Sequence, residues 1–267
     1  MAAARGWRAT LPVRQPFPWD WLIEYLSARL IPGAEQIVDG AYLRSTEGGA
    51  VQVRYDPAVA RLKITTTGTV DKTDALRRVA RLFDIDHDAA PVMRHLRRSP
   101  LLARSVRALP GLRPLGAWSP FELTLRTVLG QQVTVAAANT LMRRLVERCE
   151  ALTPEGVLAA DLGNMGMPGK RVETLRLLAA ACLRGDVPLE CGDWPRVDAA
   201  LRALPGFGPW TRSYLAIRLG RDTDAFPETD VGLVRGAKLD SSGELLRAAE
   251  AWRPYRAHAT IYLWSAA

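Results

Sequence analysis

A stretch with two glycines between two helical patterns offers the clearest chemistry in this sequence. It reads Leu204-Pro205-Gly206-Phe207-Gly208-Pro209-Trp210-Thr211. Apolar residues recur at helical spacing before and after it, which predicts a helix-hairpin-helix at about residues 195-220. Gly206 and Gly208 permit a tight turn and expose backbone amides at the start of the second helix. Those amides and the positive end of the helix suit a nucleic acid phosphate, although a connector without a ligand is the alternative.

Three further side chains near the hairpin could contact a ligand. Trp210 and Tyr214 are four residues apart on the second predicted helix, so their rings lie on one face. Asp230 precedes an apolar helical pattern that begins at Val231, a position where aspartate is a favoured cap. The simpler alternatives are that both rings fill a core and that the carboxylate only caps its helix.

The other reactive side chains form no recognisable catalytic or metal-binding set. Candidates for a lysine nucleophile are few: Lys63, Lys72, Lys170 and Lys238. Cys149, Cys182 and Cys191 lack the close spacing of a zinc or iron-sulfur site, and the histidines are scattered. We therefore expect no metal ion and no cofactor.

A formal net charge of +8 over 267 residues favours a polyanionic partner, because cationic side chains release counterions when they bind phosphates. Charge alone does not distinguish DNA from RNA or from acidic membranes. No run of the sequence reaches the roughly 18 apolar residues that a membrane span requires. The sequence therefore predicts an intracellular, cytoplasmic protein without a membrane anchor.

The first part of the chain, residues 1-90, is predicted to be an α+β domain. Apolar residues alternate with polar ones over 51-55 and again over 62-66, which indicates antiparallel strands that residues 41-45 extend. Helical patterns cover 18-30 and 72-83, the second behind a possible cap at Asp71. We therefore expect an antiparallel sheet with helices on one face.

The second part, residues 91-267, is predicted to be a mainly helical catalytic region that contains the hairpin. Ser119-Pro120-Phe121-Glu122 has the pattern of a capping box, in which Glu122 reaches back to the start of the helix. The polar segment Gly130-Gln131-Gln132-Val133-Thr134 interrupts two helical patterns, so it forms a tip that contacts a ligand or a solvated corner.

Arginine is the only type of charged side chain, apart from His95, between residues 89 and 121. This segment is either a DNA-facing surface or a solvated face whose arginines pair with acids from elsewhere, and the sequence favours neither. The arginines are Arg94, Arg97, Arg98, Arg104, Arg107 and Arg113.

A hairpin followed by a polar loop and an aspartate resembles the helix-hairpin-helix (HhH-GPD) DNA glycosylase superfamily. Within it, the chain is most similar to the bacterial 3-methyladenine DNA glycosylase II family, and the similarity extends over nearly the whole chain. Four segments carry it: residues 125-134, residues 165-171, the hairpin and residues 252-264.

This resemblance implies a role for individual residues. Asp230 matches the family's catalytic carboxylate, and Gln132 falls where the family places a wedge, often leucine, that fills the gap left by a flipped nucleotide. Aromatic positions of the base pocket match Trp210, Tyr214, Trp264 and Tyr25. The positions expected to bind DNA are Gly206, Gly208, Gln131, Gln132 and Thr211.

The implied function is that of a monofunctional glycosylase that hydrolytically excises alkylated bases, of the 3-methyladenine and 7-methylguanine type, from duplex DNA. Trp210 stands where strand-cleaving relatives have a lysine nucleophile, which disfavours a bifunctional enzyme. We expect a monomer associated with the bacterial nucleoid. The alternative from another class is a non-enzymatic DNA-binding module, which would need neither Asp230 nor the aromatic set.

Overall fold

The computed structural model describes residues 6–219 and 222–266, and the described chain begins with a five-stranded antiparallel sheet. The strands lie in the order β1-β5-β4-β3-β2, so β2 to β5 form a meander and β1 adds to the edge beside β5. Their bounds are β1 (Arg8–Pro12), β2 (Glu35–Val38), β3 (Ala41–Thr46), β4 (Gly49–Asp56) and β5 (Arg61–Gly68).

Alternation along the central strands directs one face of the sheet into a hydrophobic cluster. Val51 and Val53 on β4, and Leu62, Ile64 and Thr66 on β5, are buried, whereas the residues between them are not. Helices α1 (Trp19–Ser27) and α2 (Lys72–Phe83) contribute to the same cluster. The predicted α+β architecture is confirmed, and so is the cap of α2, where the Asp71 carboxylate accepts the Asp74 amide.

The rest of the described chain is helical, as predicted: no strand follows β5 in residues 69–219 or 222–266. The helices are α3 (Ala89–Leu96), α4 (Ala103–Ala108), α5 (Pro120–Leu129), α6 (Val135–Arg148), α7 (Pro154–Ala159), α8 (Gly169–Arg184), α9 (Trp194–Arg202), α10 (Pro209–Arg218), α11 (Val231–Ala237), α12 (Ser242–Ala249) and α13 (Arg256–Trp264), with a short 3-10 helix at Glu250–Trp252. The predicted hairpin is the pair α9 and α10.

The start of α5 differs in one respect from the predicted capping box. Ser119 caps the helix by accepting the amide of Glu122, as expected. The Glu122 carboxylate, however, does not reach back to the helix start, because it forms two hydrogen bonds of 2.6 and 2.7 Å with the guanidinium of Arg44 on β3. Both side chains are buried, so each charge compensates the other, and the pair connects the sheet to the helical region.

Hydrophobic packing does not follow the predicted domain boundary everywhere. Residues of α3 and α4, such as Leu96 and Val106, pack with the C-terminal helices around Trp252. Leu115 and Trp118, further along the chain, pack with the N-terminal cluster. The division into residues 1-90 and 91-267 stays a prediction.

Candidate active site

A cavity of about 360 Å³ lies where α1, α5, α6, α10, α11 and α13 meet. The five residues predicted for catalysis and the base pocket all line it: Tyr25, Trp210, Tyr214, Asp230 and Trp264. Sequence reasoning missed two other charged side chains of its wall, Arg29 and Arg126. The fold thus brings residues more than 200 positions apart in the sequence to one concave site.

Asp230 is held at the cavity by three hydrogen-bond donors. As the cap of α11, it accepts the Leu233 amide on Oδ1 at 3.0 Å. The indole Nε1 of Trp210 donates to Oδ2 at 2.8 Å, and the indole Nε1 of Trp264 donates to Oδ1 at 3.2 Å. The capping role and the position in the cavity therefore coexist, and the carboxylate is fixed from both oxygens.

The three aromatic rings beside Asp230 form one wall of the cavity. Trp210 and Tyr214 stack nearly parallel, with ring centroids 5.4 Å apart and an interplanar angle of 14°. Trp264 lies tilted at 5.7 Å from Tyr214. All three rings are only partly buried, so they do not simply fill a core. A flat ligand can stack on such an electron-rich wall.

Behind this wall lies a buried arginine that the sequence did not indicate. Arg218 on α10 is 3% exposed, and its Nη1 donates to the hydroxyls of Tyr214 at 2.7 Å and Tyr25 at 3.3 Å. Its remaining donors bond the backbone carbonyls of Leu115 at 2.7 Å and Gly116 at 3.1 Å. Arg218 therefore connects α10 to the segment before α5 and to α1 through hydrogen bonds.

Two more arginines bring positive charge to the same region. The Arg29 guanidinium lies 3.8 Å from the centroid of the Tyr25 ring. Arg126 on α5 is buried, and its Nη2 donates to Oδ1 of Asn139 at 2.7 Å. Burial lowers the pKa of the Arg126 guanidinium below its ordinary value. Because the carboxylate of Asp230 is the only acidic side chain among the described residues that line the cavity, cationic groups outnumber anionic ones there.

The two glycines of the hairpin turn are needed for different structural reasons, and phosphate binding by the hairpin amides stays a prediction. Gly206 adopts φ +89°, and a Cβ there would lie 2.5 Å from Oγ1 of Thr174, so the fold itself requires glycine. Gly208 caps α10 with an ordinary φ of −67°, and a Cβ there would meet nothing within 4 Å. Since glycine has no side chain to cap the helix and Pro209 has no N–H, the amides of Trp210 and Thr211 are the first that an outside acceptor can bind.

The polar tip between α5 and α6 packs directly on the hairpin. Nε2 of Gln131 donates to the carbonyl of Gly206 at 2.8 Å and to the buried hydroxyl of Thr211 at 2.9 Å. Gln132 is exposed in the left-handed conformation, with φ 57°. Gln131 and Thr211 therefore position the hairpin, whereas Gln132 points away from the packed protein; direct contact of these residues with DNA stays a prediction.

The arginine-rich segment divides into two groups. Arg113 is fully buried, and its guanidinium bonds the backbone carbonyls of Gly111, Asp84 and Pro16, so it cannot belong to a DNA-facing surface. The others are exposed: Arg94, Arg97, Arg98, Arg104 and Arg107. In the described residues, no group of histidine, cysteine or acidic side chains is arranged to hold a metal ion, and no helix could span a membrane.

Two family models match the chain. The model of the AlkA N-terminal domain matches residues 8–119, and the model of the HhH-GPD superfamily base excision DNA repair protein matches residues 125–244. The second range contains the hairpin and Asp230. The chain therefore belongs to the HhH-GPD superfamily of base excision DNA repair proteins, in the branch that carries an AlkA N-terminal domain.

Curated relatives agree with this assignment. The chain is 33% identical to DNA-3-methyladenine glycosylase 2 of Escherichia coli strain K12, over 96% of both chains. It is 35% identical to a probable bifunctional transcriptional activator/DNA repair enzyme AlkA of Mycobacterium tuberculosis, over 96% of this chain. The match spans only 56% of the length of that Mycobacterium protein.

Solved structures show the same fold. A 3-methyladenine DNA glycosylase from Archaeoglobus fulgidus superposes with a TM-score of 0.77 over 97% of both chains, at 18% identity. The Schizosaccharomyces pombe 3-methyladenine DNA glycosylase Mag1, solved in complex with abasic DNA, gives a TM-score of 0.59 at 25% identity. That match covers 66% of this chain and 96% of Mag1.

Proposed function

We propose that this protein is a monofunctional DNA glycosylase, which flips an alkylated base out of duplex DNA and hydrolyses its N-glycosidic bond. The single observation that carries the proposal is the Asp230 carboxylate, held by two indoles at the edge of an aromatic cavity. The relative named DNA-3-methyladenine glycosylase 2 supports 3-methyladenine as a substrate, and we propose 7-methylguanine, another alkylated purine, beside it.

The cavity would receive the damaged base. A glycosylase cannot reach the glycosidic bond of a stacked base, so the nucleotide must first leave the duplex. The parallel rings of Trp210 and Tyr214 offer a stacking surface for that base. An alkylated purine with a positive charge is attracted to the negative face of an aromatic ring and is also a better leaving group than a neutral base.

Asp230 would stabilise the sugar while the bond breaks. In this reaction the sugar approaches an oxocarbenium ion, as in other glycoside hydrolyses. A carboxylate about 4 Å from that charge contributes on the order of 4 kcal/mol at an effective dielectric constant of about 20. Such a contribution corresponds to a rate increase of about a thousandfold. The three donors to Asp230 hold the carboxylate in place before the charge develops.

The hairpin would hold the duplex through its backbone. The amides at the start of α10 are free to bind a phosphate, and the empty space beside Gly208 allows the strand to approach closely. Gln132 would enter the gap that the flipped nucleotide leaves, and exposed arginines such as Arg104 would add contacts to the backbone.

Trp210 occupies the position at which strand-cleaving relatives have a lysine, and this supports a monofunctional reaction. Without an amine there to form a Schiff base, water is the nucleophile and the product is an abasic site. We further propose that the protein works as a monomer and, given a chromosomal substrate, with the nucleoid in the bacterial cytoplasm.

The decisive experiment is to incubate the protein with duplex DNA treated with dimethyl sulfate and to identify released bases by chromatography. We expect free 3-methyladenine and 7-methylguanine, with the DNA strand left intact until alkali cleaves the abasic sites. Tight binding of methylated DNA without release of any base would instead identify a non-enzymatic DNA-binding module.

A further inference from the structure

The positive charge of Arg218 is not neutralised by its hydrogen-bond partners in their usual protonation states. Its hydrogen-bond partners are two backbone carbonyls and two phenolic hydroxyls, those of Tyr25 and Tyr214. A buried cation is costly unless an anion compensates it. Among the four partners, only the two phenols can become anions.

Tyr214 is better placed than Tyr25 to lose its proton. The Tyr214 oxygen has the shorter bond to Arg218, 2.7 Å against 3.3 Å. Its ring is half-buried and lines the cavity, whereas Tyr25 is 8% exposed. Burial raises the pKa of Tyr25. Burial opposes ionisation of Tyr214 too, but Arg218, Arg29 and Arg126 together lower the pKa of its hydroxyl to about 8.

The charges that face Tyr214 come from several elements and are mostly positive. Arg29 follows α1, Arg126 lies on α5 and Arg218 lies on α10 itself. Arg126 bonds an asparagine and a backbone carbonyl rather than a carboxylate. Among the described residues that line the cavity, the one carboxylate is that of Asp230 at the start of α11, and it is already bonded to two indoles and an amide.

We propose that Tyr214 releases its phenolic proton to solvent, provides the counter-charge for these arginines, and as a phenolate favours bases that carry a positive charge. The phenolate ring lies parallel to Trp210 and faces the cavity, so its charge would attract a cationic base and leave a neutral base unaffected. The selection of bases rests on the proposed function, whereas the ionisation of Tyr214 does not.

Ionisation can be measured without any substrate. The ultraviolet absorbance of tyrosinate is followed from pH 6.5 to pH 10 in the wild-type protein, in Tyr214→Phe and in Tyr25→Phe, which removes the other hydroxyl bonded to Arg218. We expect one of the six tyrosines to ionise near pH 8, well below the ordinary value of about 10, and this step to persist in Tyr25→Phe. A step that persists in Tyr214→Phe, or that is missing from the wild type, overturns the phenolate.

A second variant keeps the titration decisive if Tyr214→Phe does not fold. Arg29 is half-exposed, so Arg29→Gln removes one neighbouring charge without disturbing a core. With less positive charge nearby, the step should move to higher pH. A step that stays where it was contradicts the proposed role of Tyr214 as a counter-charge for Arg29.

Selection is tested by the rates at which 3-methyladenine, a cation in DNA, and hypoxanthine, a neutral base, are released from duplex DNA. With a pKa near 8, the ionised fraction rises from about a tenth at pH 7 to about nine tenths at pH 9. The ratio of the two rates should therefore rise up to about tenfold in the wild type and stay flat in Tyr214→Phe. If Tyr214 of the wild type ionises but the ratio of the two rates does not change with pH, the proposed selection of cationic bases is wrong and the ionisation stands. Release of neither base overturns the proposed function and leaves the titration result standing.

Discussion

The indole Nε1 of Trp210 donates a hydrogen bond of 2.8 Å to Oδ2 of Asp230, so one side chain both forms the cavity wall and orients the carboxylate. Phenylalanine would keep a stacking ring and lose the donor. We expect Trp210→Phe to release base about tenfold more slowly in single turnovers, since a hydrogen bond to a charged group contributes about 1.5–3 kcal/mol. Affinity for DNA should change little.

Trp264→Phe is the matched comparison for this prediction. Its bond to Asp230 is longer, 3.2 Å, and the same oxygen also accepts the Leu233 amide, so the loss should be smaller. If both variants weaken substrate binding and leave the rate of base release unchanged, the indoles act by stacking and not by positioning the carboxylate.

Replacing Asp230 with asparagine separates catalysis from helix capping. Asparagine can still accept the Leu233 amide through its carbonyl oxygen, but its NH2 group cannot accept the bond from Trp210, so the free energy of unfolding should fall by about 1–3 kcal/mol. Its amide group cannot carry the negative charge that the transition state requires. We expect base release by Asp230→Asn to be about a thousandfold slower in single turnovers. A folded variant with a rate within about tenfold of the wild type would contradict a catalytic Asp230.

The two hairpin glycines should respond differently to substitution. Gly206→Ala places a methyl group against Thr174 at a positive φ, so its free energy of unfolding should fall by about 1–3 kcal/mol. Gly208→Val meets open space at an ordinary φ, so it should melt near the wild-type temperature and yet bind DNA more weakly, whatever the sequence. Thermal melting and fluorescence anisotropy with two unrelated duplexes measure both effects. Unchanged affinity of Gly208→Val would mean that the phosphate docks elsewhere.

Introducing the lysine of strand-cleaving relatives should not create a lyase. A lysine in Trp210→Lys would lie beside the Asp230 carboxylate, which keeps the amine protonated and unreactive. We expect no covalent complex with damaged DNA when borohydride is added, and slower base release because the stacking ring is gone. A complex trapped with the wild-type protein would contradict the monofunctional assignment.

Two stacked histidines should make the protein sensitive to acid. The rings of His87 and His258 lie 4.8 Å apart, and burial lowers their pKa values to about 4 and about 3. In the unfolded chain each histidine has a pKa of about 6.5 and therefore binds a proton that the buried ring in the folded protein does not bind. The free energy of unfolding consequently falls as the pH drops below 6.5. Each histidine should account for about 2 kcal/mol between pH 7 and pH 5.

Urea unfolding at these two pH values tests this effect. His258→Leu will be less stable at both, but the difference between pH 7 and pH 5 should shrink by about half because one titrating ring is gone. An unchanged difference would assign the acid sensitivity to other groups.

Local patterns were sufficient for the parts of the fold that depend on neighbouring residues. The caps at Asp71 and Ser119 and the alternation of β4 and β5 follow from residues within a few positions of each other. Strand β2 was missed because its four residues are too few for a pattern. The bond between Glu122 and Arg44 spans 78 positions, so no local signal could reveal that the carboxylate turns away from its helix.

The same reasoning explains what could be predicted of the cavity. The aromatic residues and Asp230 were predicted by resemblance to a family, and the fold does bring them together. Arg218 was missed because an arginine in the last turn of a helix normally faces solvent. Its burial depends on Tyr25, 193 positions away, and on the carbonyl of Leu115, 103 positions away.

Gln131 joins the tip that carries Gln132 to both sides of the hairpin turn, through the carbonyl of Gly206 and the hydroxyl of Thr211. In the proposed complex, the protein therefore fixes the distance between the phosphate held by the hairpin and the nucleotide displaced by Gln132. A damaged nucleotide could then be flipped only when it lies a fixed number of nucleotides from the phosphate bound by the hairpin. As the protein moves along the duplex, it would test each nucleotide when that nucleotide reaches this position.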